Sequence, residues 1–246
     1  MTTAAKVGII TQARTTSTRL PGKVLIEVAG KTLLDHHLDR LATSGIEVFV
    51  ATTTNAADDP IVAIAERRGL RWFRGSEHDV LSRFQGCAEQ FGLDVMVRVT
   101  SDCPLIDGAL VADAVEEFLA ADDENLYLSN GIRRTFPRGF DLEVFSATAL
   151  AEANRSATDP AQREHVTPYL YQNAGGHTVV RHLLWPQDKS AYRVTLDTPE
   201  DLEVIRLLME NHEAHRLSCA EIIDLLDHHP EIARLNQHVE QKKLGG

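Results

Sequence analysis

Two patterns of apolar and polar positions alternate along the first half of the chain. Short apolar runs, typical of strands buried on both faces, recur four times. They occupy residues 7–10, 47–53, 71–73 and 95–100. Amphipathic runs with apolar residues at helical spacing follow them, at residues 33–45, 60–69, 80–92 and 110–121. This alternation predicts an α/β fold, in which helices cover both faces of a parallel sheet.

The regular alternation of predicted strands and helices ends after residue 121. Further strands are predicted at 125–130, 140–145 and 178–184, with helices at 149–157 and 160–173. We interpret residues 125–184 as an insert, a lid or dimerisation arm within a single domain spanning residues 1–246. The first pattern then returns, with a strand at 191–196, helices at 199–211 and 219–229, and a polar tail expected to fray.

Composition narrows the function classes. The chain has 246 residues and is 43% hydrophobic, which is enough for a sizeable core. A formal net charge of −11 argues against non-specific binding to nucleic acid or anionic membranes. Cys87, Cys103 and Cys219 form neither a disulfide framework nor a zinc pattern. Without a signal-peptide pattern or a long apolar run, we expect a cytoplasmic protein.

A cationic loop follows the first predicted strand, at residues 12–23. Ligands of parallel sheets bind outside the carboxyl ends of strands. Arg14, Arg19 and Lys23, with the hydroxyls of Ser17 and Thr18, are suited to phosphate oxygens. The sequence has no complete P-loop and no G-x-G-x-x-G after the first strand. The loop thus predicts a phosphate site of another kind, and an ordinary solvated loop remains the alternative.

Two aspartates are predicted at other strand ends. Asp102 follows the strand at 95–100, and Asp197 follows the one at 191–196. If both strands join the sheet, these carboxylates face the cationic loop, an arrangement that suits a triphosphate with Mg²⁺. The alternatives are a turn aspartate for Asp102 and a helix N-cap for Asp197.

Three motifs carry a family resemblance: QARTTSTRLPGKVL, VRVTSDCPLID and VTLDTPEDLEVI. They resemble the cytidylyltransferases that make CMP-activated sugar acids, such as CMP-sialate and CMP-KDO synthetases, and most of all the branch of spore-coat polysaccharide biosynthesis proteins. Segments 73–84, 137–146 and 163–171 resemble the same branch. Ser101 departs from the glycine that many members have. The resemblance implies a three-layer, Rossmann-like nucleotidyltransferase (GT-A-like) fold with a mostly parallel sheet.

The resemblance also implies roles for individual residues. CMP would pass from CTP to a sugar acid or related anionic acceptor, with release of pyrophosphate, in surface polysaccharide biosynthesis. Catalysis would rest on Arg14, Lys23, Asp102 and Asp197, of which the two aspartates would hold Mg²⁺. CTP would be bound by Ala13, Arg14, Arg19, Lys23, Ala51, Thr52, Gly75, Ser76 and Asp79. The acceptor would face Arg138, Asp141, Glu143, Arg163 and Glu164. A homodimer formed through the insert is expected.

Other functions remain open at this point. The first is a phosphonate cytidylyltransferase of natural-product metabolism. The second is a nucleotide-sugar glycosyltransferase, whose D-x-D motif is most nearly matched by Asp141-Leu142-Glu143. The third is a non-catalytic nucleotide-binding protein. No residue stands out as a general base, and His165 is interpreted as a packing or hydrogen-bonding histidine.

Three further pairs are expected to be at least partly solvated. We interpret Arg133-Arg134 as an exposed hairpin tip. One histidine of His36-His37 and one of His228-His229 are expected to be exposed.

Overall fold

A central sheet organises the part of the chain that the computed structural model describes, residues 5–241. The strands are β1 (Val7–Gln12), β2 (Glu27–Val28), β3 (Lys31–Thr32), β4 (Val48–Thr53), β5 (Arg71–Gly75), β6 (Val95–Thr100), β7 (Leu126–Ser129), β8 (Glu143–Ser146) and β9 (Val179–His182). Seven of them form one sheet in the order β5-β4-β1-β6-β8-β7-β9, and β2 and β3 form a separate hairpin. The pairs β5–β4, β4–β1, β1–β6 and β7–β9 are parallel, whereas β8 is antiparallel to both its neighbours.

Helices cover both faces of the sheet. They are α1 (Leu33–Ala42), α2 (Asp59–Arg67), α3 (Val80–Phe91), α4 (Gly108–Ala121), α5 (Ala147–Ser156), α6 (Pro160–His165), α7 (Pro168–Tyr171), α8 (Pro199–Arg206), α9 (Cys219–His228) and α10 (Pro230–Arg234). A π-helical turn, Leu207–Asn211, extends α8. Among the described residues, no helix has the length and apolar character needed to span a membrane.

Successive residues of β1 show how the layers are built. Ile9 packs in a core formed with α1, α2 and α4, and Ile10 packs in a core formed with α3, α5 and α7. Neighbouring side chains of a strand point to opposite faces, so one apolar run fills two cores. A third core joins Phe140 and Val194 to α8 and α9. These layers confirm the predicted three-layer α/β fold.

The predicted strand at 191–196 is wrong. Only Arg193 forms a β-bridge, with Arg138. Val194 N donates to Arg138 O at 2.7 Å, but Leu196 N donates to Asp102 O at 2.8 Å. The segment therefore switches between two partners and forms no continuous ladder, which brings its end to the turn after β6.

Three other boundaries differ from prediction. The strand expected at 140–145 begins at Glu143, because Asn130 bonds the backbone at Phe140 and Leu142 in place of a neighbouring strand. The helix expected at 160–173 is split where Val166 has φ of +72°. The tail expected to fray instead forms α10 and buries Asn236, while residues 242–246 lie outside the described part.

Gly139 lies so close to the backbone of Val194 that a residue with a Cβ would not fit there. Its φ is +110°, and an added Cβ would lie 2.6 Å from the carbonyl carbon of Val194. We expect Gly139→Ala to lower the free energy of unfolding by about 2–4 kcal/mol, since it combines backbone strain with a clash against main chain. Urea denaturation measures the loss.

Gly176→Ala is the matched control. Its φ is +82°, but an added Cβ would meet nothing within 4 Å. Only the backbone strain remains there, worth about 1 kcal/mol. Equal losses in the two variants would show that the contact with Val194 does not matter.

Candidate active site

The carboxyl ends of β1 and β6 lie side by side. Gln12 is in register with Thr100, and Ser101 N donates to Gln12 O at 3.1 Å. The loop after β1 and the turn after β6 consequently leave the sheet at the same edge. Asp102 in that turn thus faces the cationic loop, as predicted.

Lys23 joins the loop to both predicted aspartates. Its ammonium nitrogen lies 3.0 Å from Asp102 Oδ2, 2.8 Å from Asp197 Oδ1 and 2.6 Å from Leu196 O. The side chain is largely buried, and it leaves the loop in a single turn of 3₁₀ helix, Lys23–Leu25. Three segments distant in the sequence are thereby brought to one point.

The charges of this cluster stabilise one another. Burial by itself lowers the pKa of Lys23, but the negative charges of Asp102 and Asp197 outweigh it and raise that pKa. Burial by itself raises the pKa of Asp102, yet Lys23 and a hydrogen bond from Thr100 lower it to about 2. Lys23 and Asp102 are therefore ionised together at neutral pH.

Two residues that sequence reasoning missed hold Asp197. Arg193 donates to Asp197 Oδ2 at 2.9 Å and binds both oxygens of the fully buried Asp201. Asp201 also accepts from Asp197 N, and it forms a capping box with Thr198 at the start of α8. Asp197 is thus not the N-cap of this helix, and that alternative is wrong. The spacing of Thr198 and Asp201 was a visible signal for the capping box.

The cationic loop has two other positive side chains, those of Arg19 and Arg14. Arg19 pairs with Asp197 at 3.0 Å, and the half-exposed Arg14 lies 3.7 Å from Glu77. Asp58 anchors the loop, because its carboxylate accepts hydrogen bonds from the backbone N–H and the hydroxyl of Thr15. The cationic loop is therefore anchored to the fold, and its positive groups are gathered at one edge of the sheet.

Two cavities meet at this cluster. One, the loop chamber, has a volume of about 280 Å³ and is lined by the cationic loop and the start of α3. The other, the insert chamber, has a volume of about 430 Å³ and is lined by residues of the insert. Both are lined by Gln12, Arg98, Thr100, Asp102, His165, Asp197 and Gln241. A ligand in each chamber would approach the other at the two aspartates.

Comparison with known proteins decides what kind of site this is. Residues 8–223 match the model of the cytidylyltransferase family. The chain belongs to that family. It is a CTP-using nucleotidyltransferase, as the resemblance implied.

Individual relatives agree with this assignment. A solved cytidylyltransferase from Leptospira borgpetersenii has a TM-score of 0.89 and 34% identity, with 97% of this chain and 100% of that one covered. Spore coat polysaccharide biosynthesis protein SpsF of Bacillus subtilis is 34% identical, covering 91% of this chain and 95% of that protein. A 3-deoxy-manno-octulosonate cytidylyltransferase of Geobacter metallireducens is 30% identical, covering 82% and 85%.

In this cytidylyltransferase, three of the residues expected at the acceptor line the insert chamber. They are Arg138, Asp141 and Glu143. Asp141 pairs with Arg134, so the interpretation of Arg134 as a solvated tip is wrong. Glu143 pairs with Arg98 and accepts from Tyr127 and Thr167.

The remaining two acceptor candidates lie elsewhere. Arg163 binds the carboxylate of Asp79 and the backbone oxygen of Asn154. Glu164 lines the loop chamber, as does Ala13. Their predicted roles stay predictions.

None of the residues predicted to surround cytosine and ribose, Ala51, Thr52, Gly75, Ser76 and Asp79, lines either of these two chambers. Ala51 and Thr52 are fully buried in β4, and Thr52 Oγ1 has no hydrogen-bond partner among the described residues. Ser76 O accepts from Arg83, an arginine that sequence reasoning missed. Asp79 caps α3 through Ser82 N and pairs with Arg163. Gly75, at the end of β5, packs against the stem of Arg83.

The donor set determines which metal sites are possible. Within residues 5–241, no group of three or more His, Cys, Asp or Glu side chains forms a metal cage. Asp102 and Asp197 nevertheless converge on one cation, the Lys23 ammonium. Mg²⁺ is commonly bound by one or two carboxylates and completed by substrate phosphates. The site fits such an ion when a nucleotide supplies the other oxygens.

A buried histidine supports the turn that carries Asp102. His37 Nδ1 donates to Cys103 O, and its Nε2 accepts from Thr11, each at 2.8 Å. His36 is buried as well, so the expectation that one of this pair is exposed is wrong, whereas His228 is exposed as expected. Burial lowers the pKa of His37 to about 4.

This histidine predicts acid sensitivity. The unfolded chain takes up a proton near pH 6.5 but the folded chain only near pH 4, so stability is lost as the pH falls between these values. The loss should total about 3 kcal/mol. His37→Gln should remove this part of the pH dependence of urea unfolding, and the exposed His78→Gln should keep it. The same pH profile in all three proteins would contradict the assignment.

Proposed function

We propose that the protein is a Mg²⁺-dependent enzyme that transfers CMP from CTP to a sugar acid or related small anionic acceptor. The observation that carries this proposal is the meeting of the two chambers at Asp102 and Asp197, which Lys23 binds together. Nucleotidyl transfer needs two substrates held end to end at a centre of charge neutralisation. The names of the relatives from Geobacter and Bacillus support a sugar acid and surface polysaccharide biosynthesis.

CTP occupies the loop chamber in this proposal. Arg14, Arg19 and Lys23 bind its phosphates, with hydroxyls from Ser17 and Thr18. Lys23 then leaves the carboxylates for the nucleotide. Asp102 and Asp197 would be the protein ligands of a bound Mg²⁺, which would supply charge withdrawal at the α-phosphate.

The acceptor occupies the insert chamber. Its oxygen forms a bond to the α-phosphorus while the bond to the bridging oxygen breaks, and the electron pair leaves with pyrophosphate. Where the attacking oxygen is a hydroxyl, its proton passes to solvent. The loop cations neutralise the charge that develops there. Of the chamber's arginines, Arg98 and Arg134 are paired with carboxylates, while Arg138 has no carboxylate within 4.0 Å among the described residues. Arg138 is therefore proposed to bind the acceptor's anionic group.

The glycosyltransferase alternative is less compatible with these contacts. Asp141 and Glu143, the nearest match to a D-x-D motif, are paired with Arg134 and Arg98. Neither carboxylate belongs to the cluster at Lys23. We keep the phosphonate acceptor as an arm of the experiment below, because an anionic oxygen attacks without a general base.

A homodimer and a cytoplasmic location complete the proposal. Of the exposed large apolar side chains of the described residues, Ile132, Val179 and Leu184 lie within the insert, and Leu119 lies just before it on α4. Exposed apolar side chains grouped on one segment are typical of an interface. The reaction uses CTP, which is available in the cytoplasm.

A pyrophosphate-release screen tests the reaction. It crosses CTP, UTP, ATP and GTP with sugar acids, sugar phosphates and phosphonates, in the presence and absence of Mg²⁺. We expect release with CTP, Mg²⁺ and a sugar acid together. Release that depends on a phosphonate instead would favour the second acceptor class, and no release from any nucleotide would contradict the proposal.

Asp102→Asn should cost about 2–4 kcal/mol of transition-state stabilisation, or roughly 30- to 1,000-fold in kcat/KM, because it removes a preorganised charge. Steady-state pyrophosphate release measures this loss, after circular dichroism confirms that the variant is folded. Asp113→Asn, on the exposed side of α4, is the control and should be unchanged. Full activity of Asp102→Asn would contradict the proposal that Asp102 is a ligand of Mg²⁺.

A further inference from the structure

A buried arginine of the loop chamber has no part in the reaction described so far. Arg83 lies on α3, is 2% exposed, and lines the loop chamber but not the insert chamber. Within residues 5–241, its Nη1 donates to Ser76 O at 2.6 Å, its Nε has no partner, and no carboxylate lies within 4.0 Å. Burying an unpaired charge is costly. A ligand that supplies acceptors would account for its position.

The guanidinium of Arg83 is held in one orientation. Its stem packs so closely against Gly75 that an added Cβ there would lie 2.9 Å from Arg83 Cγ. The bond to Ser76 O fixes the other end of the side chain. The planar donor group therefore presents a defined edge to the chamber.

The surrounding charges leave Arg83 a cation. Burial lowers the pKa of Arg83 to about 10, and the positive charges of Arg14 and Arg98 contribute, while Asp58 and Glu77 act in the opposite direction. The group remains protonated at neutral pH. It can donate hydrogen bonds and cannot accept them.

The two sides of the loop chamber differ in chemistry. The loop supplies three cations and two hydroxyls, which suit the triphosphate. Arg83 comes from α3, and the apolar residues of the chamber's lining include Val80, on the same helix, and Ala13. Apolar walls with one fixed polar group are typical of a site for a planar heterocycle. Arg83 thus belongs to the nucleoside end of the chamber.

We propose that Arg83 recognises the base of the nucleotide, with its terminal nitrogens donating to O2 and N3 of cytosine. This inference rests on the proposed function. Cytosine carries these two acceptors side by side, and a planar guanidinium matches such a pair. Uracil has an N–H at position 3, which would face another donor. Arg83 therefore determines the preference for CTP over UTP.

Calorimetric titrations test this assignment. Wild type, Arg83→Met and Arg83→Lys are titrated with CTP, UTP and inorganic tripolyphosphate, each with Mg²⁺. A bidentate contact predicts that Arg83→Met weakens CTP binding by about tenfold or more and UTP binding by less. Tripolyphosphate binding should stay unchanged. Arg155→Met, an exposed arginine of α5, is the control and should bind like wild type.

Arg83→Lys keeps the charge but loses the planar donor pair. Arg83→Lys should therefore also lose the preference for CTP over UTP. If Arg83→Met does not fold, the titrations of Arg83→Lys test the proposal. A retained preference for CTP in both variants would overturn the proposal, and so would a loss of tripolyphosphate binding as large as that of CTP. If wild type itself does not bind CTP, the proposed function fails rather than the role of Arg83.

Discussion

The ammonium of Lys23 between Asp102 and Asp197 is the contact on which the site depends. It connects a loop near the start of the chain to carboxylates 79 and 174 positions further on. Two carboxylates this close would repel each other without a cation, and a buried lysine would be costly without counter-charges. The cluster therefore joins the cationic loop to both aspartates at the point where the two chambers meet. In the proposed function, the same oxygens would hold Mg²⁺ once the lysine has turned to the nucleotide.

The fold supplies this contact through strand ends. Parallel pairing of β1 and β6 releases the cationic loop and Asp102 at one edge of the sheet. The segment with Asp197 reaches the same edge by another route, because Leu196 N bonds to the backbone of Asp102. Gly139 lets the neighbouring loop approach that segment, and the Arg193–Asp201 pair fixes its end. The insert adds β8 beside β6 and so builds the second chamber against the first.

Much of this could be predicted from the sequence, and the remainder has physical reasons. The apolar runs predicted the central strands. The positive side chains after the first predicted strand and the acidic side chains after two others predicted the candidate site. The segment 191–196 has the composition of a strand, but its partners are scattered, which composition does not reveal. Arg83 sits in an ordinary amphipathic pattern, and only its burial without a carboxylate singles it out. The arginine partners of Glu143 and Asp79 lie far from them in the sequence, so the sequence did not reveal these ion pairs.

The measurement that tests the central claim most directly is a double-mutant cycle on kcat/KM for CTP. It compares Lys23→Met, Asp102→Asn and the double variant with wild type, all confirmed to be folded. Groups that act as one unit lose their effect together, so the double variant should be little worse than the more damaged single variant. Losses that add in full on the logarithmic scale would show that the lysine and the aspartate act independently, and the account of a shared centre would be wrong.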